Sequence, residues 1–310
     1  MLAHRVLADI ERQINGEQID HKRAGKNYVE YLRLIRKPLI ESVKFRMPEL
    51  NAFSKFTEPL YDDFIGGKLD DYIKAPSHTT WFEYDYEPEN KAVEFKDSPT
   101  YRGVLVTDHG DRVYSSFVFN YFPTFDFWAL LPSVYFTSVG CDIIENAAYM
   151  KSKNRNMLEF AKLDVGDRAF LMPISQDMAN DKDFEKQMKL EVGALSEYAL
   201  LSMIVLNTRN VEVKTIGPPK KLNKKRVSRG KYPIFSYKVL AIDLSGGSRI
   251  AEGRKAGATG LTRLHFCRGH IKNFTEEKPL FGKVTGPVWW QPQIRGNKKR
   301  GAVLKDYQVN

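Results

Sequence analysis

The chain has 310 residues, is 42% hydrophobic and 12% aromatic, and carries a formal net charge of +10, so it holds enough apolar material for a core. Cys141 and Cys267 are too few for a disulfide framework. The most apolar run, Val192–Leu206, is interrupted by Glu197 and falls short of the roughly 20 residues a bilayer span needs, so no membrane partner is expected. No charged-then-apolar leader opens the chain at Met1, and the cytoplasm is the expected compartment.

Apolar residues recur at helical spacing over Leu2–Ile14 and Asn27–Phe45, with Tyr28, Tyr31, Leu32, Ile35 and Leu39 in one stripe and Pro38 expected to kink the helix or start a second one. A loop punctuated by Gly66 and Gly67 is expected over Asp62–Tyr72. From Thr80 the pattern turns aromatic and β-branched: TWFEYDY, KAVEFKD, YRGVLVTD and DRVYSSFVFNYF predict an antiparallel meander with a tight hairpin at His109. Capping residues in SQDMANDKDFEKQ predict a long buried helix from near Asp181 to about Leu206.

VEVKTI resumes extended structure, and the run KKLNKKRVSRGK that follows reads as a loop or a short helix. YPIFSYKVLAIDL reads as a strand, SGGSRIAEGRKAGATG as a Gly-rich connection, LTRLHFCRGHIKNF and PVWWQPQI as strands, TEEKPLFGKVTG as a loop and RGNKKRG as a turn. The expected fold class is α+β: a mainly antiparallel sheet covered by helices, followed by a basic, β-rich C-terminal module. Two segments, 1–182 and 183–310, organise the chain and are able to share one core.

Charge is distributed unevenly. Lys and Arg number 25 against 32 Asp and Glu over residues 1–206, but 23 against 6 over residues 207–310, a balance of −7 and then +17. Such an excess points to a polyanion or an acidic protein surface as partner; the other explanation is neutralisation across an internal contact with the acidic two thirds.

KLNKKRVSRGKYPIFSYKVL, HFCRGHIKNFTEEKPLFGKVTGPVWWQPQIRGNKKRG, the terminal KDYQV and the upstream APSHTTWFEYD together carry an Asn-x-x-Arg basic stretch followed by an Arg-Gly-His, Leu-Phe-Gly, Trp-Trp and Arg-Gly series. In this the chain resembles a group of phage and prophage proteins to which no activity is attached. The resemblance implies an accessory factor made in the cytoplasm of an infected bacterium and acting on host machinery.

The candidate binding residues are the seven basic side chains Lys220, Lys221, Lys224, Lys225, Arg226, Arg229 and Lys231, with Lys272, Trp289, Trp290, Lys298, Lys299 and Arg300. Lysines and arginines release counterions from nucleic acid, and aromatic rings beside them suit stacking on unpaired bases, which favours RNA over DNA. On a strand, Trp289 and Trp290 face opposite ways, so at most one is expected at the surface.

A second constellation comprises His265, Arg268, His270 and Arg295. In one regular strand His265 and His270 lie on opposite faces, and a bulge at Arg268–Gly269 would bring them together as general base and acid on a ribose phosphate, with Arg268, Arg295 or Lys272 holding the developing charge. That would be a metal-independent endoribonuclease. His-x-Cys-x-x-His matches no common zinc spacing, and phosphate-loop, dinucleotide and nucleophile-elbow motifs are absent, so no metal or cofactor is expected. The leading expectation is nucleic-acid binding, to RNA or a ribonucleoprotein, that modulates a host process. The alternatives are that ribonuclease and a protein inhibitor of a host antiviral defence enzyme, docking its basic face on an acidic surface.

Overall fold

The computed structural model describes residues 2–16, 21–86, 101–110, 113–122, 127–130, 133–137, 161–162, 169–172, 182–209, 211–241, 263–267, 269–290, 293–295 and 297–302. The Gly-rich connection, the KAVEFKD strand and the terminal KDYQV lie outside the described residues.

Helices α1 (Leu2–Ile14) and α2 (His21–Glu41) pack on each other. Their inward stripe, Leu2, Val6, Leu7 and Ile10 with Leu32, Ile35 and Leu39, is buried. The second helix begins earlier than the Asn27 expected and runs through Pro38 to Glu41, so the kink or restart expected there does not divide it. Proline removes one N–H, whose acceptor would be the Leu34 carbonyl, and Leu34 is exposed, where water serves that carbonyl. Residues Val43–Arg46 leave the helix as strand β1, because Lys44 draws the helix to a close. Its buried ammonium donates to the carbonyls of Ile40 (3.2 Å) and Ser42 (2.7 Å) and lies 3.9 Å from the Phe235 ring centre.

The loop expected over Asp62–Tyr72 is instead largely helical. Helix α3 (Leu50–Thr57), a 3-10 turn (Glu58–Leu60), helix α4 (Tyr61–Ile65) and a second 3-10 turn (Asp70–Tyr72) follow one another, and Phe53, Leu60, Phe64 and Leu69 bury their side chains. Packing of these isolated apolar residues makes short helices on either side of the glycines, while Gly66 caps α4 and Gly67, at φ +76°, forms the expected turn between them.

The meander is β2 (Thr79–Asp85), β3 (Tyr101–Asp108), β4 (Val113–Phe122), β5 (Phe127–Leu130) and β6 (Ser133–Thr137), joined by β7 (Ala161–Lys162) and β8 (Ala169–Met172). The β3–β4 pairing is antiparallel down to Asp108 opposite Tyr114, and the amide of His109 donates to the Val113 carbonyl at 2.9 Å, as a hairpin there requires. Helix α5 (Lys182–Leu206) ends at the residue expected for it.

Strands β9 (Glu212–Ile216) and β10 (Tyr237–Ala241) then return to the sheet made by the first half of the chain. Among the described residues that sheet has ten strands in the order β7-β8-β6-β4-β3-β2-β1-β10-β9, with β5 against β4. Only β1 pairs in parallel, with β2 and β10, and the other described pairings of this sheet are antiparallel. The fold class is α+β, and the segments 1–182 and 183–310 share one sheet.

Alternation along the strands divides the core in two. Trp81, Leu105, Phe119 and Tyr237 pack with α1 and α2. Phe82, Tyr84, Val104, Val106 and Val118 pack on the other face with Leu195, Ala199, Met203 and Ile204 of α5 and with Phe53 and Phe64. A sheet covered on both faces explains why β2 is buried nearly throughout, its threonines and Glu83 included.

Gly103 is required there: a Cβ on it would stand 2.2 Å from Cη2 of Trp81, whose indole crosses the strand. Beside it, buried Glu83 accepts from the Leu2 amide (3.1 Å) and the Trp81 indole N–H (3.3 Å), and the Tyr237 hydroxyl accepts from the Ala3 amide (3.2 Å). The first turn of α1 is thus satisfied by side chains of β2 and β10. Burial nonetheless pushes the Glu83 carboxyl above the usual carboxylate range.

The remaining strands form two small sheets. β12 (His270–Phe274) pairs with β13 (Gly286–Trp290), and β11 (Arg263–Cys267) lies between β14 (Gln293–Arg295) and β15 (Asn297–Ala302). The Arg209 amide donates to the Pro287 carbonyl at 3.2 Å and the Trp289 amide to the Arg209 carbonyl at 3.1 Å, which fastens the β12–β13 ribbon to the end of α5.

Candidate functional site

The basic run after Pro219 is a helix, α6 (Lys220–Val227), and it buries no residue. Little in its own composition favours it: eight residues are too few for an isolated helix, its cap Pro219 offers no side-chain acceptor, and Lys220 and Lys221 stand at the positive end of the helix dipole.

Two side chains hold it in place. Asn223 donates to the Ile234 carbonyl (2.9 Å) and accepts the Ile234 amide (2.7 Å), and Arg226 donates to the Tyr232 carbonyl (2.9 Å). A three-residue separation puts Asn223 and Arg226 on one helix face, which gives the Asn-x-x-Arg spacing a physical meaning.

Arg226 also donates to Nε2 of His4 in α1 at 2.6 Å. Burial first, and the neighbouring guanidinium second, hold the His4 ring below the usual histidine value, so it remains a neutral acceptor. Tyr232 in turn meets Arg36 of α2, which donates to its hydroxyl and pairs with Glu11 of α1. Arg226 therefore serves as a clasp between α6 and the N-terminal helices.

The outward face is different. Lys220, Lys221, Lys224, Lys225, Arg229 and Lys231 are all exposed, and among the described residues none pairs with an acidic side chain. Leu222 and Val227, 43% and 58% exposed, sit among them, and edge strand β9 alongside is exposed at every position, including Lys214. Lysine pairs 220/221 and 224/225 are separated by four residues, about 6 Å along the axis, so both pairs face the same way.

The second constellation is divided. The single strand expected through His265 and His270 is two strands in different sheets, β11 and β12, separated at 268–269. His265 is opposite Arg295 across β11–β14, whereas His270 is opposite Trp290 across β12–β13. The one continuous strand on which the bulge was expected is therefore not formed, since β11 and β12 belong to different sheets. Arg268 lies outside the described residues.

Trp289 is only 4% exposed, with its ring 5.2 Å from that of Phe56, and is core; its expected place in a binding surface is corrected. Trp290 is half-buried on the opposite face of the ribbon, beside exposed His270 and Lys272, and the Lys272 ammonium lies 6.0 Å from its ring centre. The turn expected over Arg295–Gly301 is mostly strand: Lys298, Lys299 and Arg300 belong to β15, which pairs in parallel with β11. The partners across β11–β15 are Arg263 with Asn297 and Leu264 with Ala302, with a register shift between them, and the chain reverses direction between antiparallel β14 and parallel β15. Among the described residues no group of three His, Cys, Asp or Glu side chains could hold a metal ion, and no helix is long and apolar enough to cross a membrane.

The clasp of His4, Arg36 and Tyr232 was not legible as part of this site, since it joins residues 196 and 222 positions apart. Comparison of the chain with protein-family models, curated proteins and solved structures gives no match.

Proposed function

We propose that this protein binds nucleic acid through the outer face of α6, with RNA or a ribonucleoprotein preferred, as a phage-encoded accessory factor that modulates a host process in the bacterial cytoplasm. One observation carries the reading: six cations without an acidic partner among the described residues stand on a short helix and its following turn, which bury none of them and are held by a dedicated clasp. A helix so placed contributes little to the core, and its presented charge is of the kind that displaces counterions from phosphates. Exposed Lys272 and half-buried Trp290 supply a further cation and ring on the β12–β13 ribbon.

The test is to purify the full chain at moderate salt and identify whatever is bound. Co-purified RNA that leaves along a steep salt gradient is the expected result. A protein free of nucleic acid that retains a salt-sensitive host protein after nuclease treatment would overturn it in favour of an acidic protein partner. Fragments ending in 2′,3′-cyclic phosphate would instead assign catalysis to the histidine-bearing strands.

A further inference from the structure

We infer that Phe281, at the tip of the loop between β12 and β13, stacks on an unpaired base, an inference that rests on the nucleic-acid reading above and adds the class of ligand to it. The residue is 86% exposed, the largest exposure among the large hydrophobic side chains described. It also has a φ of +53°, the one positive value described at a non-glycine residue. Large side chains are disfavoured in that left-handed region because Cβ crowds the backbone.

Backbone hydrogen bonds close the loop around it. The Leu280 amide donates to the Val284 carbonyl (2.8 Å), and the amides of Val284 (3.0 Å) and Lys283 (3.2 Å) donate to the Leu280 carbonyl. Within this turn both central residues have positive φ, Phe281 at +53° and Gly282 at +71°, and only the glycine adopts it without strain. Asn, Asp or Gly would suit position 281 better than Phe for folding alone. A ring held there against local preference serves something outside the fold.

Its surroundings select the ligand. Lys278 and Lys283 flank the tip and are exposed, while the acidic Glu276 and Glu277 belong to the preceding turn, in which the Lys278 amide donates to the Thr275 carbonyl at 3.1 Å. Pro279, Leu280 and Val284 are partly buried, so the loop itself adds no other exposed apolar residue to the ring. A protein interface buries roughly 800 Å² per partner around several apolar anchors, which a solitary ring does not offer. Stacking requires one π-face and cations for the neighbouring phosphates, and it favours single strands because paired bases hide their faces.

The test compares the full-length wild type with Phe281→Asn, which relieves the left-handed strain and so keeps the fold, and with Phe281→Trp. The probes are a single-stranded 12-mer RNA containing 2-aminopurine and an RNA duplex of the same length. Wild type and F281W are expected to quench the 2-aminopurine. F281N should lose the quenching and bind the single strand about 10-fold more weakly, with duplex affinity and salt dependence unchanged. Equal quenching and affinity in F281N and wild type would overturn the stacking role while leaving α6 as a nucleic-acid surface. Equal loss on single strand and duplex would also overturn it, and failure of the wild type to bind either RNA would overturn both readings.

Discussion

Replacing Lys220, Lys221, Lys224 and Lys225 together by alanine removes four of the six exposed cations of α6 and its following turn, and the consequence can be worked through. If six cations each neutralise one phosphate of a single strand, log K should fall with log salt at a slope of about −4, and with two cations left at about −1.4. Between 50 and 200 mM salt the wild type would then lose about 300-fold in affinity and the variant only about 7-fold. Fluorescence anisotropy with a labelled single-stranded RNA over that salt range reads both slopes. The fold should not suffer, because the replaced side chains bury nothing, alanine favours helix, and two positive charges leave the positive end of the dipole. The melting temperature is therefore expected to stay level or rise slightly. A variant that keeps the wild-type slope, or one that melts markedly earlier, would refute the assignment of these lysines to ligand phosphates.

Asn223→Ala should free α6 from the Ile234 backbone, costing about 1–3 kcal/mol locally; hydrogen exchange should quicken over residues 220–231 and remain slow in β2–β4. Gly103→Ala should lower stability by roughly 2–3 kcal/mol, because the new methyl meets the Trp81 ring, and thermal denaturation measures it. Burial of Lys44 lowers its ammonium from 10.5 to about 8. The unfolded chain then binds more protons than the folded one between those values, so stability should rise as pH climbs from about 8 to 10.5, by on the order of 3 kcal/mol. Lys44→Met should flatten that rise in urea denaturation at several pH values. For Glu83 the sign reverses: its folded value is raised, so stability should fall as pH rises from about 4.5 through the raised value, a trend Glu83→Gln should remove.

Much of this architecture is legible from residue patterns alone. The 3.6-residue stripe of Leu2–Ile14, the capped start and apolar length of Lys182–Leu206, and the aromatic runs of β2, β3 and β4 are local signals, since periodicity and capping act within a few residues. The charge of residues 207–310 and the Asn-x-x-Arg motif likewise marked the helix that carries the candidate site.

Tertiary structure alone decided that α1 and α2 cover one sheet face and α5 the other, that β10 pairs with β1, and that Arg226 closes on His4. It also set His265 and His270 in separate sheets, buried Trp289 against Phe56, and left Phe281 outside every core. A strand's neighbours are chosen by the burial and backbone pairing available to the whole chain. Turn chemistry and residue spacing act over a few positions and cannot specify which distant edge completes the sheet.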